Sequence, residues 1–201
     1  MAILTLPDIM GIERASFGLE SNTKVFSSSI NKSTQTARFS GARWTATYRL
    51  VPHTLDDIAE IQSFLVQLRG RSGRFYAYDP LKRSPRGTGN GNPVVDGDSQ
   101  TGTSLDTTGW APNETVLRKA DYVQIGDTDE LKMVTQDIIS DGSGNATLVY
   151  EPPIRTSPLD QSNIIVHDAS AVMLLAEDKV SWEEEQGQLS RVTIKGVEAL
   201  I

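Results

Sequence analysis

The sequence predicts a mainly β fold of the α+β kind, built around a single strong helix. Three observations carry this. Arg43 to Leu50 alternates, with Trp44, Ala46, Tyr48 and Leu50 on one side and Arg43, Thr45, Thr47 and Arg49 on the other, which is the period of a half-buried strand. A helical stripe follows once, over Thr54 to Arg69. The remainder breaks into short apolar runs of strand length separated by Gly, Pro, Asn, Asp and Ser, and strands, one helix, then strands again is the pattern of α+β rather than parallel α/β proteins.

The elements follow in order. Phe17 to Phe26 reads as a strand interrupted at Ser21 and Asn22, and Ser33 to Phe39 as another, with a tight turn at Ser40–Gly41 leading into the Trp44 strand. Pro52 stops that strand. Thr54 is a good helix N-cap, and Asp56 and Asp57 favour the positive end of the helix dipole. Leu55, Ile58, Ile61, Phe64, Leu65 and Leu68 form one apolar stripe, expected to pack on a sheet holding Trp44 and Tyr48. Gly70 is the expected C-cap, and Arg74 to Tyr78 a strand. Asp79 to Gly97 holds three prolines and four glycines, so it reads as a linker or domain boundary.

A second β-rich region follows. Val116 to Ile125, Leu131 to Ile139 and Ala146 to Tyr150 read as a meander ended by Pro152 and Pro153, with its best turn at Asp141–Asn145. Ile164 to Val166, Val172 to Leu175, Val180 to Trp182 and Leu189 to Val197 supply further short strands. The expected layout places 1–84 with 166–201 in one β domain and 85–165 in an inserted one, the last strands returning to the sheet begun before the insert.

Composition narrows the function classes. The 201 residues suffice for one large or two small cores. There is no cysteine, which removes disulfides, thiolate zinc sites and cysteine nucleophiles. The net charge of −7 is opposite to that of a free nucleic-acid binder. No apolar run approaches the ~20 residues that span a bilayer. Met1 to Met10 lacks the basic start of a signal peptide, so synthesis in the cytosol with no export address is expected.

Chemistry-bearing patterns are sparse. His53 reads as a loop histidine, and His167-Asp168, as a base and its orienter, would have to overcome the opposite directions of neighbouring strand residues. Asp121, Asp127, Asp129 and Glu130 cluster around a turn where a calcium site is conceivable, without the EF-hand pattern. Gly87, Gly89 and Gly91 lack the strand–turn–helix context of a nucleotide loop, so a flexible linker accounts for them better. No GxSxG elbow occurs. The expectation is a protein without enzymatic activity and without a cofactor. Trp110, Tyr122 and Tyr150 leave open a carbohydrate-binding module, and a glycan hydrolase would need two converging carboxylates.

One feature rises above this background. Arg69, Arg71, Arg74, Lys82, Arg83 and Arg86 are opposed only by Asp79. They read either as a solvated basic face or as a docking surface for acidic protein. The Glu177–Glu185 stretch of a neighbouring copy, with Glu183, Glu184 and Glu185, is one such partner, since complementary patches on two sides of a subunit are what a head-to-tail ring needs.

Four segments carry a resemblance. They are SNTKVFSSSINKSTQTARFSGARWTATYRL (Ser21–Leu50), IQSFLVQLRGRSGRFYAYDPLKRSPRG (Ile61–Gly87), VLRKADYVQIGDTDELKMVTQDIISDGSGNATLVYEPPIR (Val116–Arg155) and AVMLLAEDKVSWEEEQ (Ala171–Gln186). In order and spacing the chain resembles the distal tail proteins of long-tailed, siphovirus-type bacteriophages. Where that family would have Gly-Asp before the aromatic of the meander, this chain has Ala120-Asp121. The resemblance implies a tail-tube-like β-barrel or sandwich with one flanking helix, and an inserted peripheral domain, here an OB- or SH3-like small barrel. It also implies a homohexameric ring between tail-tube protein and tail-tip hub protein, located in the virion tail, with DNA only in transit through its lumen. A tail-tube or other tip-hub subunit is the nearest alternative. A negative lumen would keep DNA from sticking, in agreement with the net charge.

Overall fold

The structure, a computed structural model, describes residues 2–7, 11–51, 54–182 and 192–200. The described residues are mainly β with one α-helix. The elements open with β1 (Leu4–Thr5), β2 (Gly11–Glu20), β3 (Thr23–Ser27), β4 (Thr34–Arg38) and β5 (Arg43–Val51). Helix α1 (Leu55–Gln67), a 3-10 turn (Gly70–Ser72) and β6 (Phe75–Ala77) follow. Then come β7 (Gly91–Val95), β8 (Gly102–Trp110), β9 (Thr115–Leu117), β10 (Tyr122–Ile125), β11 (Glu130–Val134) and β12 (Ile138–Ile139). The last are β13 (Ala146–Ile154), β14 (Ile164–Ile165), β15 (Ala171–Leu175) and β16 (Val192–Glu198). Two compact units result, Met1–Leu6 with Phe75–Val172 and Pro7–Arg74 with Met173–Ile201.

In the second of these units β5 is the central strand. It pairs antiparallel with β2, from Gly11 opposite Val51 to Glu20 opposite Arg43, and with β16, from Val192 opposite Leu50 to Val197 opposite Thr45. β16 in turn pairs with β15, Met173 opposite Glu198. The alternation read in β5 is the alternation found: Trp44, Ala46, Tyr48 and Leu50 are buried. Phe17 on β2 lies against Trp44, ring centroids 5.6 Å apart and planes tilted by 31°. The buried Glu198 carboxylate accepts the Trp44 N–H at 2.8 Å.

Helix α1 begins in a full capping box. Thr54 Oγ1 accepts the Asp57 N–H at 3.1 Å and Asp57 Oδ2 accepts the Thr54 N–H at 2.9 Å. Ile61, Phe64, Leu65 and Leu68 are buried, but Ile58 is half-buried and Leu55 is 78% exposed, so the inward stripe is shorter than the sequence predicts. Leu55 is the first helical residue, at the rim. The helix ends at Leu68 rather than at Gly70; Arg69 takes the left-handed conformation and Gly70 opens the 3-10 turn. A Cβ on Gly70 would sit 2.9 Å from Asp178 Oδ1 and at a positive φ, so only glycine fits there without strain.

Beyond a break at Ser21–Asn22, where the sequence predicts one, the ribbon of β2 and β5 continues as the hairpin β3–β4, with Thr23 opposite Arg38 and Ser27 opposite Thr34. Asn22 bridges the break: its carbonyl accepts the Phe39 N–H and its amide donates to the Ser40 carbonyl, both at 2.8 Å.

In the other unit β1 runs parallel to β6, Leu4 opposite Phe75. The larger sheet has the order β14-β10-β11-β13-β8-β7. It is a nearly closed β-barrel. Closure comes from the antiparallel bridge of Val94 to Asn163, just ahead of β14, with Val95 N–H donating to Ser162 and Gln161 N–H donating to Val95. Leu105, Ile125, Leu148 and Tyr150 lie in its core with Trp110, whose indole N–H donates to Thr107 Oγ1 at 2.8 Å. A buried ion pair also sits in this unit. Lys132 Nζ donates to Glu130 Oε2 at 2.5 Å and to the Pro153 carbonyl at 2.9 Å, and the Arg155 and Thr156 N–H groups donate to the same carboxylate.

The structure corrects the sequence reading in this region. β7 forms inside the stretch read as linker, and β8, absent from the predicted strands, is a full barrel strand. Val116 to Ile125 is two strands, divided by a turn with Ala120 at φ 69°. Pro152 and Pro153 do not end the third strand, which continues to Ile154. They are tolerated because the register against β8 shifts between Val149 and Ile154, where no ladder donor is required of them. Val180 to Trp182 is not a strand.

Phe64→Ala should cost about 3–5 kcal/mol, the usual range for emptying a buried aromatic site. Urea unfolding of the unit that holds α1 measures it, and a loss below about 1 kcal/mol with unchanged fold would show that Phe64 is not a core side chain.

Candidate interaction surface

The six basic residues singled out from sequence are divided between the two compact units. Arg69, Arg71 and Arg74 belong to one compact unit, and Lys82, Arg83 and Arg86 to the other. Glu183, Glu184 and Glu185, like His53, lie outside the described residues.

Arg74 turns back on its own loop, with Nη1 donating to the carbonyls of Arg71, Ser72 and Gly73 at 3.0–3.2 Å. The Arg71 N–H donates to Asp178 at 3.0 Å, while the Arg69 and Arg71 residues are exposed.

The second trio is held within its own unit. Arg83 Nε lies 2.6 Å from Asp168 Oδ1, its guanidinium stacks 4.9 Å from the Tyr78 ring centre, and the Asp168 N–H donates to the Arg83 carbonyl. Lys82 Nζ donates to the Ala120 carbonyl and sits 5.2 Å over the Tyr122 ring. Arg86 pairs with Asp121 at 3.4 Å and donates to the Lys119 carbonyl. These three cations therefore fasten the segment that enters the barrel. Their signal in the sequence, a local run of one sign, is the same whether the partner is another chain or a carboxylate farther along this one.

Asp121 is the main fastening point that sequence reasoning missed. Its side chain is 2% exposed, and Oδ2 accepts the N–H groups of Arg86 at 2.9 Å, Gly87 at 3.2 Å and Arg118 at 2.8 Å. Gly87 and Gly91 belong to the same closely packed path. A Cβ on either would come within 2.4 Å of a backbone carbonyl, of Val116 or of Gly109. Thr88 and Gly89 donate to the carbonyls of Thr115 and Val116. The glycines expected to make a flexible linker instead let the chain lie against the barrel.

The other candidates separate. Of the four carboxylates considered for calcium, Asp121 serves backbone donors, Asp127 accepts Leu159 N–H, Asp129 accepts the Gln124 side chain and Glu130 pairs with Lys132. Among the described residues no three His, Cys, Asp or Glu side chains are grouped to hold a metal. Asp168 engages Arg83, and His167 Nδ1 faces Ser84 Oγ at 3.4 Å. Trp110, Tyr122 and Tyr150 are core side chains, at most 5% exposed, and offer no ring for a sugar to stack on. A shallow cleft is lined by Asp96, Asp106, Asp141, Asn145 and Thr147; Asp106 accepts the Thr147 hydroxyl at 2.6 Å. No described helix is long and apolar enough to cross a membrane.

Two exposed loop carboxylates carry a pH signature. Backbone N–H donors of Asn145 and then Ser143 hold Asp141 below its ordinary value of 3.8, and the Gly97 N–H followed by the Gln161 side chain does the same for Asp160. A lowered folded pKa gives stability that is complete above the unfolded value and is lost as pH falls through the folded one. The thermal midpoint of the barrel unit should therefore hold down to about pH 5 and decline below it, less steeply in Asp141→Asn and Asp160→Asn. An identical slope in both variants would assign the decline to other carboxylates.

Asp121→Ala should destabilise the barrel unit by on the order of 3 kcal/mol, because three backbone donors lose a charged acceptor. It should also expose the Arg86–Asn90 backbone to fast hydrogen exchange, read by mass spectrometry; unchanged protection would show that other contacts hold that segment. No protein-family model matches this chain, and no curated protein matches it in sequence.

Proposed function

We propose that the chain is a structural protein of a long-tailed bacteriophage virion, a subunit of the ring that joins the tail-tube protein to the tail-tip hub protein. The single observation that supports this best is the joint arrangement. A β-sheet unit with one flanking helix is left by the chain for a small barrel and then resumed, so that β16 pairs with β5. This is the layout that the resemblance to distal tail proteins implies. In that reading the sheet-and-helix unit is the tail-tube-like, ring-forming part. The barrel is the peripheral OB- or SH3-like domain, and DNA passes only in transit through the lumen. The protein is assembled in the bacterial host cytoplasm, is not an enzyme and needs no cofactor. Within the basic stretch, the exposed Arg69 and Arg71 are the better interface residues, since Lys82, Arg83 and Arg86 are engaged inside the barrel unit. A tail-tube subunit shares the ring and differs in stacking into tubes. The carbohydrate-binding alternative loses its sequence support, because its three aromatic candidates are buried.

The test is native mass and shape. Sedimentation or mass photometry should give a species of six times 21.9 kDa, and negative-stain images should show rings with a central channel. A species of 21.9 kDa at the highest soluble concentration would sink the ring assignment. Open-ended tubes of stacked rings would favour the tail-tube alternative.

A further inference from the structure

The hairpin β3–β4 is unusual within its unit. Every described residue of β3 is exposed, and β4 is nearly so. Val25 is 62%, Phe26 58% and Ile30 93% exposed. Neighbouring strand residues point to opposite faces, so Val25 and Phe26 give each face of the ribbon an apolar side chain with no core beneath it. A two-stranded ribbon is marginal alone in water. The segment 21–42 also carries Lys24, Lys32 and Arg38 and no acidic residue, in a chain whose net charge is −7.

The outer face of α1 has the converse character. Leu55 and Val66 are 78% and 60% exposed, and Asp56 and Glu60 are exposed beside them. The helix holds three carboxylates, with Asp57, and no lysine or arginine. The two surfaces match in charge and each offers apolar side chains. Within one chain they do not cover each other, since both are exposed.

We propose that the hairpin β3–β4 of one copy lies on the outer face of α1 of a second copy, in a head-to-tail contact between identical subunits. Such a contact uses two different patches on each subunit, and repetition closes a ring when the rotation per step permits. Val25 or Phe26 meets Leu55 in the first turn of α1, and Lys24 and Lys32 face Asp56 and Glu60 beside it. The inference rests on the ring-forming reading and names the surfaces that make the ring.

The experiment is a charge swap followed by sedimentation. Lys24→Glu with Lys32→Glu, and separately Asp56→Lys with Glu60→Lys, should each shift assembly by at least about tenfold toward the single chain, because like charges then face each other. All four changes together should restore it. Asp57 is left in place because it caps the helix. Phe26→Asp, at an exposed position, should also yield a monomer that keeps the circular dichroism spectrum of the wild type. Rings that survive both reversals and Phe26→Asp would overturn the hairpin–helix contact while leaving the ring reading intact. Dissociation by each reversal without rescue by the combination would overturn the pairing of these two surfaces. A wild type that never associates would overturn both the contact and the ring reading.

Discussion

Arg83 and Asp168 hold the beginning and the end of the barrel excursion side by side. Their side chains meet at 2.6 Å, and the Asp168 N–H donates to the Arg83 carbonyl. His167 faces Ser84 alongside them. A strand can be interrupted by a long excursion and its sheet resumed only if the chain returns to where it left. Loop-closure entropy opposes that return, and a fixed meeting point near both ends offsets it. Asp121 does a related task one step further in, where three backbone donors converge on one carboxylate. The exposed Arg83–Asp168 pair is weak taken singly. The placement of these contacts at the base of the excursion, with cation–ring contacts to Tyr78 and Tyr122, makes the group act together.

Legibility in the sequence followed the physics of each element. β5 and α1 were readable because each has one buried face, so the period of the apolar residues reports the period of the backbone. The capping box was readable at its Thr54 end for the same local reason. β8 was not, because Gly102–Trp110 has few large apolar residues and buries Thr107 in place of an aliphatic one. β7 was hidden by its composition: its glycine and proline serve the close approach of two backbones, and the same residues mark flexible linkers elsewhere. The prolines of β13 misled in the same way, since only the tertiary register reveals which strand positions need no donor.

The candidate site was less legible than the fold. A run of arginines and lysines states that carboxylates are needed and gives no indication of whose. For Arg83 and Arg86 the acids, Asp168 and Asp121, lie on loops far along the same chain. Aromatic residues suited to sugar stacking look the same in sequence when they fill a barrel, as Trp110 and Tyr150 do. Against this, the buried Lys132 and Glu130 look like ordinary surface charges in a β-strand until Pro153, Arg155 and Thr156 are seen around them. Burying such a pair costs desolvation on each member, which full hydrogen bonding compensates.

The barrel's closure through Val94 and Asn163 has a consequence for how the chain behaves while it is being made and stored. A nearly closed sheet leaves few unpaired N–H and C=O groups at its seam, so it is a poor template for fibre growth. The open sheet of the other unit is different, because β2 is its outermost described strand. That edge is bent by the register shift between Ile12 and Arg14 and flanked by the cross-strand pairs Glu13–Arg49 and Glu20–Arg43. A bulge and fixed charges are the features that keep an edge from accepting foreign strands. The edge of that sheet is thus guarded by its own geometry and charges, whereas the exposed β3–β4 ribbon, with Val25 and Phe26 uncovered, has no such protection.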